Sequence, residues 1–197
     1  MLETRQGGFL SKRKGWFIIP GIQDGDRTVD EQALGLEGYD FTGKTVLDLG
    51  SAEGLISAYA LMEGAKLVHG CEIIEAHLKV ATSLMKGRAA QFWSMNLNSF
   101  KDMHQKSLRR GSPPMLARYD VVLMLSIIHK LADPLAFLKY ASTLSDSLII
   151  RLPSVVLSDE RSGFQQINIP ESLPMFDLVA EPETCRCEWM GIFQRRE

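Results

Sequence analysis

The sequence predicts an α/β protein built on a doubly wound, mostly parallel sheet whose C-terminal edge is an antiparallel hairpin. Three observations carry this expectation. From residue 44 onward, short strand-like runs alternate with helix-like runs, the order that builds a parallel sheet with helices on both faces. The run VVLML at 121–125 is apolar at every position, as a strand buried on both faces requires. In the last third, FDLVAEP (176–182) and CEWMGIFQRR (187–196) read as two strands joined by a short turn, which would make that edge antiparallel.

Each element has its own local signal. TVLDL (45–49) is the first strand of the repeating part, and GLISAYALME (54–63) follows as a helix closed by Gly64, the residue preferred just past a helix end. KLVHGCE (66–72) is the second strand. In EAHLKVATSLMKG (75–87), Leu78, Ala81, Leu84 and Met85 fall on one helical face. AQFWSM (90–95) and YDVVLMLS (119–126) are the third and fourth strands. DPLAFLKYASTL (133–144) is a helix that Asp133 caps and Pro134 opens, and DSLIIRL (146–152) is the fifth strand. Residues 1–43 form an N-terminal extension or cap ahead of a core at 44–197. Within the extension, Thr28-Val-Asp-Glu31 matches a capping box that opens a short helix. The segment GWFIIPGIQDGD (15–26) mixes aromatics with turn residues, suited to covering the sheet edge or closing over a ligand.

Bulk composition argues against several classes of function. The net charge of -2 and pI near 6.1 give no global basic field for a nucleic-acid backbone. Cys71, Cys185 and Cys187 make neither a disulfide framework nor a paired zinc site; they read as reduced thiols of a cytoplasmic protein. The start, MLETRQGGFLSKRKG, lacks the apolar core of a signal peptide. VVLMLSII (121–128) is too short to span a bilayer, so no membrane insertion is expected.

The functional signal lies in VLDLGSAEG (46–54). In a doubly wound sheet, ligands bind beyond the carboxyl ends of the strands, where strand order reverses. Gly50 lets the chain turn sharply there, and Gly54 lets the next helix pack close to the sheet. Free N–H groups at a helix start favour a negative group, while Asp48 supplies the opposite sign at the strand tip. Together they suit a zwitterion, with its amino group near Asp48 and its carboxylate near the helix start. A dinucleotide fingerprint is excluded, since Ala52 and Leu55 stand where G-x-G-x-x-G needs glycine. No Gly-Lys-Ser/Thr follows for a Walker loop. Glu72 ends the second strand, 24 residues after Asp48, where an acid accepts hydrogen bonds from both hydroxyls of a ribose.

An acid at the first strand tip, glycines in the turn and an acid after the second strand resemble the class I S-adenosylmethionine-dependent methyltransferases. VLDLGSAEG looks like that family's first motif, with Ala52 in place of the middle glycine. HGCE looks like the second motif, and FWSMNLNSF (92–100) sits where the family contacts adenine, with Asn96 for the commoner aspartate and Leu97 beside it. YDVVLMLSIIHKLADP (119–134) looks like the fourth-strand motif of small-molecule members. The resemblance implies a Rossmann-like, seven-stranded sheet and S-adenosyl-L-methionine as cofactor, held by Asp48, Gly50, Ser51, Gly54, Glu72, Asn96, Leu97 and Ser126. GWFIIPGI is also similar to the segment ahead of the core in some sugar-type and tRNA-wobble-uridine-modifying relatives.

Transfer to a hydroxyl or amine requires a proton acceptor. His129, just after the fourth strand, is the candidate catalytic base, since an imidazole titrates near neutral pH. Ser126 and Ile127 are placed at the sulfonium end. His69 reads as structural, and His77 and His104 as exposed. No metal site is expected. The family's N/D-P-P-Y/F motif and a Pro-Cys pair are both missing after the fourth strand. That leaves O- or N-methylation of a small molecule, a sugar or a modified RNA, of which a small molecule or sugar is the expected acceptor. The alternatives are an RNA methyltransferase recruited by KRK (12–14) and RR (109–110), or a cofactor-binding scaffold without catalysis. The long loop 153–175 reads as a lid, with Arg161, Phe164 and Gln165 as candidates for substrate selection.

Overall fold

The computed structural model describes residues 14–110, 115–153, 168–182, 184 and 188–197. Lys12, Arg13, Arg161, Phe164, Gln165, Cys185 and Cys187 lie outside the described residues.

The sheet has seven strands: β3 (Thr45–Leu49), β4 (Leu67–Glu72), β5 (Ala90–Ser94), β6 (Tyr119–Leu125), β7 (Ser145–Leu152), β8 (Phe176–Ala180) and β9 (Trp189–Arg195). Their order is β5-β4-β3-β6-β7-β9-β8, following a two-stranded ribbon of β1 (Lys14–Phe17) and β2 (Asp24–Arg27) that stands apart. The five strands from β3 to β7 pair in parallel, and β9 pairs antiparallel with both β7 and β8. The doubly wound sheet with an antiparallel C-terminal hairpin is therefore present. The last strand, β9, inserts next to β7 and pushes β8 to the edge, which gives the later strand the more buried position.

Successive residues of β3 and β6 face opposite sides, so each strand feeds two cores. Val46, Val121 and Leu123 pack with Ile56, Ala60, Phe17, Leu36 and Phe41 on the side of α2 (Leu55–Met62) and the extension. Leu47, Leu49, Val122 and Met124 pack with Phe100, Phe137 and Leu138 on the side of α4 (Phe100–Arg110) and α5 (Pro134–Ala141). Asp133 caps α5 by accepting from the Ala136 N–H at 2.9 Å. The capping box of α1 (Val29–Ala33) is complete: Thr28 Oγ1 accepts from the Glu31 N–H, and Glu31 Oε2 from the Thr28 N–H. A one-turn helix, Ile169–Ser172, lies within the long loop.

Two histidines depart from the sequence reading. His104 is fully buried on the inner face of α4. Its Nε2 donates to the Leu116 carbonyl and its Nδ1 meets the Tyr140 hydroxyl, both at 2.8 Å. An imidazole with both nitrogens satisfied costs little to bury. His77, on α3 (Glu75–Leu84), is also partly buried, 3.4 Å from the Glu53 carboxylate. His69 is structural as expected, its Nδ1 2.8 Å from the Tyr119 hydroxyl.

Candidate active site

The strand order reverses between β3 and β6, and the loops leaving these two strands meet at the sheet's carboxyl edge. Gly50 has φ +82°, and a Cβ there would lie 2.9 Å from Ile127 Cγ1. Glycine is thus required twice over, by the left-handed backbone and by the close approach of the β6 loop. Gly54 (φ +75°) begins α2, and a Cβ there would come within 3.0 Å of Ala81 and Phe92. Ala52 and Ser126 also adopt positive φ, +46° and +57°. The alanine that stands for a glycine in the first motif therefore holds the backbone that a glycine would hold.

Between these loops opens a cleft of about 290 Å³, near the lower end of small-molecule sites. It brings together Gly50, Glu72, Asn96, Leu97, Ser126 and Ile127, all placed there from sequence. Trp16, Ile73, Ile74, His77, Lys130 and Leu131 are also among the lining residues. On the other side of Gly50 is a second cavity of only about 20 Å³, lined by Asp48, Ser51, Gln32, Ile56, Trp16 and Phe17. Asp48 and Ser51 thus face a separate small space, and Gly54 supports the turn without lining either cavity.

The acids carry the electrostatics. Asp48 is buried, and its Oδ2 accepts from the Ser57 hydroxyl at 2.7 Å. Burial raises its pKa to about 6, opposed by that bond and assisted by the charge of Glu72. Glu72 is engaged more fully than a ribose acceptor alone would be. Its Oε2 accepts from the Ala52 N–H at 3.0 Å, and its Oε1 from the Ile73 and Ile74 N–H groups at 2.7 Å. Three of the roughly four lone-pair positions of a carboxylate are then in use, so Glu72 braces the glycine loop and keeps room for one further donor. Asn96 caps the 3₁₀ turn after β5 by accepting from the Asn98 N–H.

Two buried hydroxyls flank Gly50 without hydrogen-bond partners, Ser51 Oγ and Ser126 Oγ. Buried polar atoms are rarely left so, so both hydroxyls are open to a ligand or a water molecule. His129 does not reach the cleft wall; Lys130 beside it does. The His129 ring is half-buried with Nδ1 unpartnered. Burial, helped by Lys130, lowers its pKa to about 4. Cys71 also lines the cleft as a free thiol whose pKa burial raises. Among the described residues there is no cluster able to hold a metal ion, and no helix is long and apolar enough to cross a membrane.

Sequence reasoning missed Trp16, Lys130 and Glu53. Lys130 was within reach, since the loop after the fourth strand was already singled out. Trp16 and Glu53 meet across 37 residues, and no local pattern announces such a contact.

No protein-family model matches the sequence, and no curated protein sequence does. Solved structures do resemble it. An S-adenosylmethionine-dependent methyltransferase from Mesorhizobium loti superposes with a TM-score of 0.62 at 12% identity, over 85% of this chain and 98% of that one. Magnesium protoporphyrin IX methyltransferase from Synechocystis, crystallised with bound S-adenosylhomocysteine (SAH), gives 0.57 at 20% identity, over 85% and 82%. The ribosomal protein L11 methylase of Lactobacillus delbrueckii gives 0.54 at 15%, over 83% and 75%. With identities this low it is the architecture that is shared: the chain has the fold of the S-adenosylmethionine-dependent methyltransferases.

Proposed function

We propose that this protein is an S-adenosylmethionine-dependent methyltransferase acting on an oxygen or nitrogen of a small molecule or sugar. The observation that carries the reading is the switch point itself: Glu72 and the partnerless Ser126 hydroxyl line the main cleft, and Asp48 and the partnerless Ser51 hydroxyl line the small cavity across Gly50. The residues fit the cofactor. Asp48 would take the ammonium, Ser51 the carboxylate end, Glu72 a ribose hydroxyl, and Asn96 and Leu97 the adenine; Ser126 would face the sulfonium. When bound, the cofactor supplies an electrophilic methyl group on a positively charged sulfur.

The chain's own task is alignment, which alone accounts for a large part of such a barrier. Gly50 and Ile127 hold the two loops in contact, and Trp16 and Leu131 exclude water from the apolar middle of the cleft. His129 stands behind Lys130, outside the cleft wall, and is the proposed proton acceptor for a substrate that extends past Lys130 to meet it. Neutral at pH 7, its imidazole accepts a hydrogen bond from a hydroxyl and thereby orients it. An overall charge of -2 favours a small acceptor over a nucleic acid.

Titration calorimetry with SAH tests the cofactor site, and saturable binding is expected. Transfer of a labelled methyl group into fractionated cell extract, followed by mass identification, names the acceptor. A labelled RNA fraction would replace the small-molecule reading, and binding without transfer to any fraction would leave only a cofactor-binding scaffold.

A further inference from the structure

The glycine loop sends one side chain away from the cleft. Glu53 is fully buried, and its carboxylate is satisfied almost entirely by the extension. Oε1 accepts from the Trp16 N–H at 2.9 Å and from Gln23 Nε2 at 2.8 Å, and Oε2 accepts from the Phe17 N–H at 3.3 Å. His77 Nε2 lies 3.4 Å from Oε1. Gln23 also donates to the Phe17 carbonyl at 2.9 Å, locking the ribbon to itself. The approach is close: a Cβ on Gly15 would lie 2.4 Å from Glu53 Oε1 and 1.9 Å from Gln23 Nε2. A buried carboxylate is costly without donors, so the loop carries a charge that the extension must come in to satisfy.

The docked strand puts Trp16 at a decisive place. Trp16 lines both the main cleft and the cavity beside Asp48. Lys130 Nζ and Arg27 Cζ lie 5.0 Å and 5.4 Å from its ring centroid, a cation–π arrangement that holds the indole in position. The cavity it borders, about 20 Å³, has room for about one water molecule.

We infer that Glu53 is a positioning residue, latching the extension to the glycine loop and so setting Trp16 as the gate to the Asp48 cavity, which opens for the amino-acid end of a nucleoside ligand. The latch stands on the geometry alone, while the ligand it admits rests on the methyltransferase reading.

Hydrogen exchange of the Trp16 and Phe17 amides in the full chain tests the latch. Glu53→Ala is expected to speed both by about tenfold or more. Glu53→Gln, which keeps one acceptor oxygen, is expected to speed them less and to restore most of the SAH affinity that Glu53→Ala changes. Added SAH should alter the indole emission of the wild type, and Trp16→Phe should remove that change while still binding SAH. Unchanged amide exchange in Glu53→Ala overturns the latch. An emission change that survives in Trp16→Phe overturns the gate. If Glu53→Ala does not fold, Glu53→Gln and Gln23→Ala supply the same readings. If the wild type does not bind SAH, the ligand falls with the methyltransferase reading, and amide exchange still decides the latch.

Discussion

Asp48 is a cost to folding and, on the proposed reading, a device for binding. Its carboxyl holds a proton up to about pH 6 in the folded chain. The stability this lends is complete below the ordinary carboxylate pKa and is lost as pH rises through 6, costing about 3 kcal/mol at neutral pH. An ammonium group beside it would favour the ionised form. The complex then binds fewer protons than the free protein, so SAH affinity should climb as pH is raised toward about 6 and level off above. Asp48→Asn should flatten that dependence in calorimetry run from pH 5 to 8. Glu72→Ala should weaken SAH binding by about tenfold, through the loss of one charge-assisted bond. It should also lower the melting temperature, because three backbone N–H groups lose their acceptor. A variant that melts early but binds SAH as tightly as wild type would separate bracing from binding and remove the ribose from Glu72. His129→Ala should lower turnover in single-turnover assays while SAH affinity stays within about twofold.

Among the elements, α2 shows how a turn and a helix depend on one another. Gly54 supplies its left-handed start, and the missing Cβ lets it pack against Ala81 and Phe92. Gly54→Ala should destabilise the protein by about 1–2 kcal/mol from backbone strain alone, and more because α3 and β5 must yield; denaturant titration would measure it. The helix α4 was not assigned from sequence. Its inward positions Phe100, Met103, His104 and Ser107 follow helical spacing, yet two of the four are polar, so an apolar count does not register them. His104 is burial-competent only because Tyr140 and Leu116, from other parts of the chain, meet its nitrogens. The capping box of α1, the Asp133 cap of α5 and the strands, by contrast, were legible because their determinants lie within a few residues of one another.

For the molecule as a whole, the extension is joined to the sheet by buried charge. Arg151, fully buried on β7, donates to the carbonyls of Gln32 at 2.7 Å and Leu34 at 2.5 Å and lies 3.7 Å from Glu188. Arg27 forms a two-bond pair with the same carboxylate, at 2.6 and 3.1 Å. Removing one partner of such a group strands the others in a dry interior. Arg151→Leu should therefore cost about 3–5 kcal/mol in equilibrium unfolding; a loss below about 1 kcal/mol would show that the extension docks without it. The sequence by itself determined the alternation of strands and helices, the turn at Gly50 and Gly54, and the acids at the tips of β3 and β4, since each is written in residues adjacent along the chain. Only the tertiary structure decided that β9 lies inside β8, that Asp48 and Glu72 face different cavities, and that Glu53 and Arg151 draw the extension over the site. Those outcomes depend on partners far apart in sequence, whose pairing is settled by which buried charges and hydrogen-bonding groups the folded chain can satisfy together.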